Sequence, residues 1–397
     1  MKGQDHAVQG RWHGLRAKAL GCLIGVISLA AFLTVGLIVV ATIPDGFGLL
    51  ISIAAASIPA LIYAGIVLRL DRYEIEPWRA IAACFAWGAI GAVLLSIIGG
   101  LLFQDFVERR LGAEAADVAS VVIGAPVIEE SFKGIAILAV LLIARDEFDT
   151  VLDGLVYGAL VGVGFAMTEN ILYFGGAYMN GGLGDFGILV VARAVLGGLG
   201  HPAYTAVTGA AIGWSRGRYG QGVARFIVPV LGWLVAVALH VAWNGGLVLT
   251  SIWIGEDAGL LQIVATQTLF VIVPAVAVLY TIARMSARHE LEILRQELQS
   301  EVSQGNLTQA EYLTITDDAR RRHALARAFA TGGRRMRSDL LTFFHVSADL
   351  AFRHHHRGRG EHVARQEPSL DDLDRRRLQH LRQNLAAAGY LILPSDR

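Results

Sequence analysis

Glu129, Glu130 and Lys133 stand in the segment Pro126-Val-Ile-Glu-Glu-Ser-Phe-Lys133, inside an otherwise apolar run. Ionisable groups are costly in hydrocarbon and usually mark function. Lys133 follows the two carboxylates by three and four residues, so on a helix it can pair with both on one face. One ammonium does not neutralise two carboxylates. One glutamate is then protonated or paired elsewhere, and a proton shared by neighbouring carboxyl groups suits general acid and base work. Three further apolar runs carry matching groups. Glu169 is followed by Asn170 and Tyr173. Arg193 precedes Gly197-Gly-Leu-Gly-His201-Pro202, where glycines and proline predict a helix break beside His201. His240 and Asn244 lie at i, i+4, where a plain interhelical hydrogen-bond pair is the alternative. A carboxylate that deprotonates water, beside an imidazole that stabilises an oxyanion or passes a proton, is the chemistry of peptide-bond hydrolysis.

The elements that must position these groups are membrane helices. The chain has 397 residues, 54% hydrophobic and 17% charged, with a mean hydropathy of +0.51. A soluble chain carries roughly 25% charged residues. Apolar runs of roughly 20 residues cross a bilayer, and eight are read at about 19–43, 48–69, 79–103, 118–144, 150–174, 186–214, 223–250 and 258–282. The expectation is an all-α polytopic transmembrane bundle. The first run exceeds the roughly 7–15 residues of a signal-peptide core, so an uncleaved helix is expected. Lys2, Arg11, Arg16 and Lys18, the arginines of 69–79 and those of 216–225 alternate with loops that hold no Lys or Arg except Arg109 and Arg110 in 104–117. That bias places both termini in the cytoplasm. At about 1.5 Å per residue, Glu129, Glu169, His201 and His240 all fall roughly 8–22 Å below the outer surface, so one cavity can hold them. Asp153, near a cytoplasmic helix end, is expected to reach water. Gly154, Gly158 and Gly162 allow close helix approach.

Residues 1–18 read as a cytoplasmic segment, 19–282 as the membrane unit and 283–397 as a cytoplasmic tail. The tail holds nineteen Arg, no Lys and fifteen Asp or Glu. Helices are expected near 287–298, 307–329 and 373–388, with breaks at Gly332-Gly333 and Gly358–Gly360, in a small helical or partly disordered appendage. Its arginines read as a solvated surface or a headgroup contact, and His354-His-His356 as a loop feature. Cys22 and Cys84 are isolated in apolar runs and form no zinc or disulfide framework. Gly213-Trp-Ser-Arg-Gly217 lacks the strand a nucleophile elbow needs. Gly182-Leu-Gly-Asp185 reads as a loop turn, and no His-Glu-x-x-His occurs. No cofactor is expected; the alternative is zinc held by His201, His240 and a Glu, an accepted ligand set.

In order along the chain, Asp71-Arg-Tyr-Glu-Ile-Glu-Pro-Trp78, Glu129-Glu130-x-x-Lys133 and Asp153-Gly-Leu-Val-Tyr-Gly158 resemble motifs of the PrsW family of intramembrane proteases. The resemblance continues through Phe165-Ala-Met-Thr-Glu169-Asn-Ile-Leu-Tyr-Phe174, His201 and His240-Val-Ala-Trp-Asn244, and covers about residues 60–250. That family is related to the CAAX prenyl protease and bacteriocin-processing (Abi) group. The resemblance implies regulated cleavage, in the cell membrane, of a membrane-anchored protein such as an anti-sigma factor, with no nucleic acid involved. By its pattern Glu129, Glu130 and His201 are the main catalytic candidates, with Glu169, His240 and Asn244 around them. Glu129 and Glu130 would share the base and acid roles on a glutamate-activated water. His201 and His240 would polarise the carbonyl or shuttle protons, Asn244 would orient His240 or bind substrate backbone, and Lys133 would tune the glutamates. A proton-coupled transporter, which would also bury Glu and His, and a non-catalytic scaffold acting through its tail are the rival readings. The absence of a visible internal repeat gives the transporter no support. The sequence leaves the oligomeric state open.

Overall fold

The computed structural model describes residues 26–71, 73, 76–143, 148, 150–216, 222–254, 259–358, 368–390 and 392. The segment 1–18 and Cys22 lie outside the described residues. The regular elements among those described are helices, with no strand. Helix α1 is Val26–Thr42 and α2 is Gly46–Val67, with Asp45 capping α2 through a 2.6 Å bond from Gly48 N. Helix α3 is Trp78–Leu111, α4 spans 113–143 and α5 is Val151–Val190. A π-helical turn, Val191–Leu196, extends α5 to a break, after which α6 is Gly200–Arg216. Helices α7, Ala224–Ile254, and α8, Leu260–Ser303, complete the apolar part.

Among the described residues five stretches are long and apolar enough to cross a membrane: α2, α3, Val151–Arg216, α7 and α8. This differs from the eight expected runs for physical reasons. The runs at 150–174 and 186–214 are separated only by a tight reversal at Gly182, whose φ is 66°, which brings Phe186 back against Phe174 and Arg193 back to Glu169. Helix α4 carries Glu129, Glu130 and Lys133, and α1 is short as described. The most apolar window of Val151–Arg216 is 83% buried, against 22–28% for the other four, so this stretch forms the centre of the bundle. The outer helices turn Leu101, Leu102, Leu142, Leu249, Trp253 and Phe270 outwards, as helices facing lipid do.

A glycine ladder explains how α5 and α6 come together. Gly154, Gly158 and Gly162 lie against the backbone of Gly209, Thr205 and His201 in an antiparallel register. A Cβ on Gly158 would stand 2.5 Å from the Thr205 carbonyl oxygen, so only glycine lets the two backbones meet here. The ladder therefore fixes the height of His201 and Thr205 relative to α5. Thr150 starts α5 with a capping box: its hydroxyl accepts from Leu152 N and Asp153 N, while Asp153 Oδ2 accepts from Thr150 N at 2.7 Å. Asp153 is thus 3% exposed rather than water-facing as expected, because its carboxylate is used inside the helix cap. Close by, Tyr157 donates to Glu76, whose carboxyl is pushed up to about 11 by burial and by Asp153.

Beyond the bundle the chain forms a helical domain. Helices α9 (Gln309–Ile315), α10 (Asp318–Gly358) and α11 (Pro368–Ala387) pack with the end of α8 around Leu294, Leu298, Leu340, Phe343, Phe344 and Leu378. Gly332 and Gly333, both non-helical, interrupt α10 at the expected glycine pair and bring the Phe344 ring back to 4.8 Å from the Arg321 guanidinium. Arg375–Glu301 at 2.7 Å, Arg382–Glu311 at 2.6 Å and Arg353–Asp371 at 2.9 Å lace the helices together. The described part of the tail is a packed unit with its own core, and many of its arginines serve that packing. His354 also takes part, 3.3 Å from Asp371. Tyr73, from the segment between α2 and α3, is inserted in this core and donates to Asp318 at 2.5 Å.

Candidate active site

Helix α4 supplies the first layer of the site. Lys133 is fully buried, and its ammonium has three acceptors for its three donors: Glu129 Oε2 at 3.2 Å, Glu130 Oε1 at 2.9 Å and His201 Nδ1 at 2.9 Å. The Phe165 ring lies 3.8 Å from the same Nζ. The structure separates the two glutamates, which the sequence reading had sharing one proton. Glu130 is 0% exposed and locked from behind, accepting from Thr205 at 3.0 Å and facing His240 Nδ1 at 3.2 Å. Glu129 is 12% exposed at its side chain and borders the open space. The reason is helical geometry: consecutive residues point about 100° apart, so Lys133 ends up between them.

Helices α5 and α6 supply the second layer. Where the π-helical turn ends, Gly197 N reaches back to Ala192 O at 2.8 Å, and residues 197–199 leave the helix before α6 resumes at Gly200. Turns of this kind recur at functional sites. Here the turn presents Arg193 and the break presents His201, both to Glu169. Glu169 Oε2 accepts from Arg193 at 2.6 Å and lies 2.9 Å from His201 Nε2. Arg193 also donates to Asn170 at 2.9 Å and stacks over Tyr173 at 3.8 Å.

Partner chemistry assigns both imidazoles. A carboxylate only accepts and an ammonium only donates. His201 therefore carries its hydrogen on Nε2, toward Glu169, and a lone pair on Nδ1. His240 carries its hydrogen on Nδ1, toward Glu130, which leaves Nε2 with the lone pair. The two rings are 5.0 Å apart and nearly perpendicular, and Tyr204 stacks on His240 at 5.1 Å.

A cavity of about 250 Å³ opens against these groups, walled by Glu129, Glu169, Arg193, His201, Tyr204 and His240. Asn244 also lines it, but its amide donates to the Val121 carbonyl at 2.8 Å rather than to His240. Of the residues singled out from sequence, Glu129, Glu169, His201, His240 and Asn244 line the cavity, while Glu130 and Lys133 stand behind it. Arg193, Thr205 and Tyr204 were not assigned roles from sequence. Arg193 had a visible signal, a charge in an apolar run; Thr205 lies four residues from His201; Tyr204 looks like any core aromatic.

Glu129, His201 and His240 each offer a ligand atom within 4.8 Å of the others. Two imidazoles and a carboxylate suit zinc with a coordination position left open. Glu169 on the far nitrogen of His201 and Glu130 on the far nitrogen of His240 are the carboxylate supports that metal-binding histidines ordinarily have. The donor set is that of a zinc site, and in this structure the His201 nitrogen that would face the ion accepts from Lys133.

Residues 76–279 match the family model described as PrsW family intramembrane metalloprotease. Protease PrsW of Geobacillus kaustophilus (strain HTA426) is 28% identical over 193 residues, covering 46% of this chain and 79% of that protein. Protease PrsW of Bacillus subtilis (strain 168) is 26% identical over 202 residues, covering 51% and 85%. Protease PrsW of Clostridioides difficile (strain 630) is 34% identical over 118 residues, covering 30% and 48%. No solved structure gives a significant match. The family match takes in more than half of the chain and all of the cluster from Glu129 to Asn244. The chain belongs to the PrsW family of intramembrane metalloproteases, and the protein is accordingly a membrane-embedded protease acting on protein in the membrane.

Proposed function

We propose that the protein hydrolyses peptide bonds of membrane-anchored proteins in the cavity between Glu129, His201 and His240, with Glu129 orienting and deprotonating the attacking water. The observation that carries this reading is the division of labour around Lys133. One oxygen of Glu129 faces Lys133 and the other has no hydrogen-bond partner among the described residues, at the wall of the cavity. Glu130 is sealed behind, and its part is to hold His240 through Nδ1. Glu169, fixed by Arg193, does the same for His201 through Nε2. His240 thus keeps a free lone pair on Nε2 for the site, while the lone pair of His201 on Nδ1 accepts from Lys133.

Glu129, His201 and His240 are the residues that would hold a zinc ion once Lys133 released His201 Nδ1; the ion when bound polarises a scissile carbonyl and lowers the pKa of water, and Glu129 would then serve as a ligand rather than as the base. The proposed topology has eight crossings in 19–282 with both termini cytoplasmic, and 283–397 on the cytoplasmic side. The motif resemblance supports an anti-sigma factor as substrate and kinship with the CAAX prenyl protease and Abi group.

The test is proteomics of membrane fractions from cells carrying the wild type or Glu129→Gln. A membrane-protein fragment made only by the wild type supports the assignment. Equal cleavage by a normally inserted Glu129→Gln removes Glu129 from its role.

A further inference from the structure

Tyr204 is 1% exposed, and its hydroxyl has no hydrogen-bond partner among the described residues. A buried hydroxyl left unpaired costs about 1–3 kcal/mol, and such groups in native structures call for an explanation. The phenol lies at the cavity wall, stacked on His240 at 25° and edge-on to His201 with ring centres 6.1 Å apart. Gly200 leaves it room: a Cβ there would stand 3.0 Å from the hydroxyl oxygen. The neighbouring N–H groups are already committed. The ammonium of Lys133 has three acceptors, and the ring N–H groups of His201 and His240 go to Glu169 and Glu130. Tyr204 brings an uncommitted neutral donor to the same wall.

We propose that Tyr204 is a catalytic residue whose hydroxyl donates a hydrogen bond to the scissile carbonyl oxygen as it becomes an oxyanion. In that step water oxygen bonds to the carbonyl carbon, the carbonyl π electrons move onto its oxygen, and the water proton goes to Glu129. The phenol keeps its proton and stabilises the new charge. A donor fixed in a water-poor site needs no reorganisation and acts on the transition state more than on the ground state. The inference rests on the proteolytic reading and adds the group that binds the developing charge.

Tyr204→Phe removes the hydroxyl alone, so the test is sharp. The full-length protein in bicelles is assayed on the membrane-protein fragment found by the proteomics above, supplied as a synthetic single-span peptide. The expected kcat falls by about 100- to 1000-fold, the effect of losing one oxyanion donor. KM stays within about twofold, because the bond forms only as charge develops. The melting temperature does not fall, because no folded-state bond is lost. A phosphinate analogue of the cleaved bond, whose anionic oxygen mimics the adduct, binds Tyr204→Phe at least tenfold more weakly, while an uncleavable ground-state peptide binds both forms alike. Retained kcat, a kcat loss accompanied by a lower melting temperature, or unchanged phosphinate binding each overturns the proposal. If the wild type cleaves no peptide, the proteolytic reading fails first, and the phosphinate comparison still judges Tyr204.

Discussion

Removing the ammonium of Lys133 should destabilise the bundle severely, and removing Glu130 with it should undo much of that damage. Lys133 and Glu130 are both fully buried and 2.9 Å apart. Taking away one member of such a pair leaves an uncompensated buried charge, at a cost of about 3–5 kcal/mol. Lys133→Met is therefore expected to lose about that much. Glu130→Gln, which also weakens the bonds to Thr205 and His240, is expected to lose a similar amount. The double variant leaves neither charge exposed to an apolar wall, so its loss should fall short of the sum by about 2–3 kcal/mol, the upper range for residues in contact. The Glu129–Lys133 pair gives an internal comparison. It is longer, at 3.2 Å, and Glu129 is 12% exposed at its side chain, so its coupling to Lys133 should be smaller. The assay is reversible unfolding in bicelles, with each variant's free energy read from the same denaturant series. Additive losses for Lys133→Met and Glu130→Gln, or a larger coupling through Glu129 than through Glu130, would refute the placement of Lys133 as the buried partner of Glu130.

Two further outcomes are expected. Arg193→Gln should lower kcat by about 10- to 100-fold, as loss of a support behind a site histidine does, with KM little changed and partial recovery in Arg193→Lys; equal kcat in all three forms would remove Arg193 from the chain that orients His201. In the tail, burial, with Arg321 adding, pushes His345 down to about 4, so the folded form resists its protonation. Because an unfolded histidine binds a proton near pH 6.5, the unfolded chain holds more protons between about pH 6.5 and 4, and stability should fall as pH drops through that window. His345→Leu should flatten the slope of melting temperature against pH there, and an unchanged slope would show that His345 is not its source.

Much of the site was legible because charge in an apolar run is visible without geometry. Glu129, Glu130, Lys133, Glu169, His201 and His240 all stood out in that way, and the structure brings them into one neighbourhood. The break before His201 was legible too, since Gly197, Gly198, Gly200 and Pro202 each weaken a helix. What failed to show was direction. Nothing local says that Glu129 turns to the cavity while Glu130 turns away, or that Asn244 spends its amide on the Val121 carbonyl 123 residues distant. Tyr204 was invisible for a different reason: only its missing partner distinguishes it from a packing aromatic. In the tail, charge on the helices suggested a solvated appendage. Its ion pairs instead cross between helices far apart in sequence, as Arg375 does to Glu301, and a linear pattern does not display such pairing.

The balance of charge gives the cavity its character. Taking the glutamates as ionised, Glu129, Glu130 and Glu169 set three negative charges against two positive ones, from Lys133 and Arg193. One negative charge is then left over in a setting where a lone ion is costly. Arg193 is drawn to Glu169 and Lys133 is saturated, so neither can absorb it. The surplus falls at Glu129, beside the lone pair of His240, and with His201 these are the groups whose ligand atoms converge within 4.8 Å. A divalent cation or a proton taken from water would each find favourable electrostatics at that spot. The same excess of acceptors would repel the oxyanion formed during hydrolysis unless something donates to it. That requirement is why an uncommitted hydroxyl on Tyr204, at the wall of the same cavity, carries more meaning than its apolar surroundings suggest.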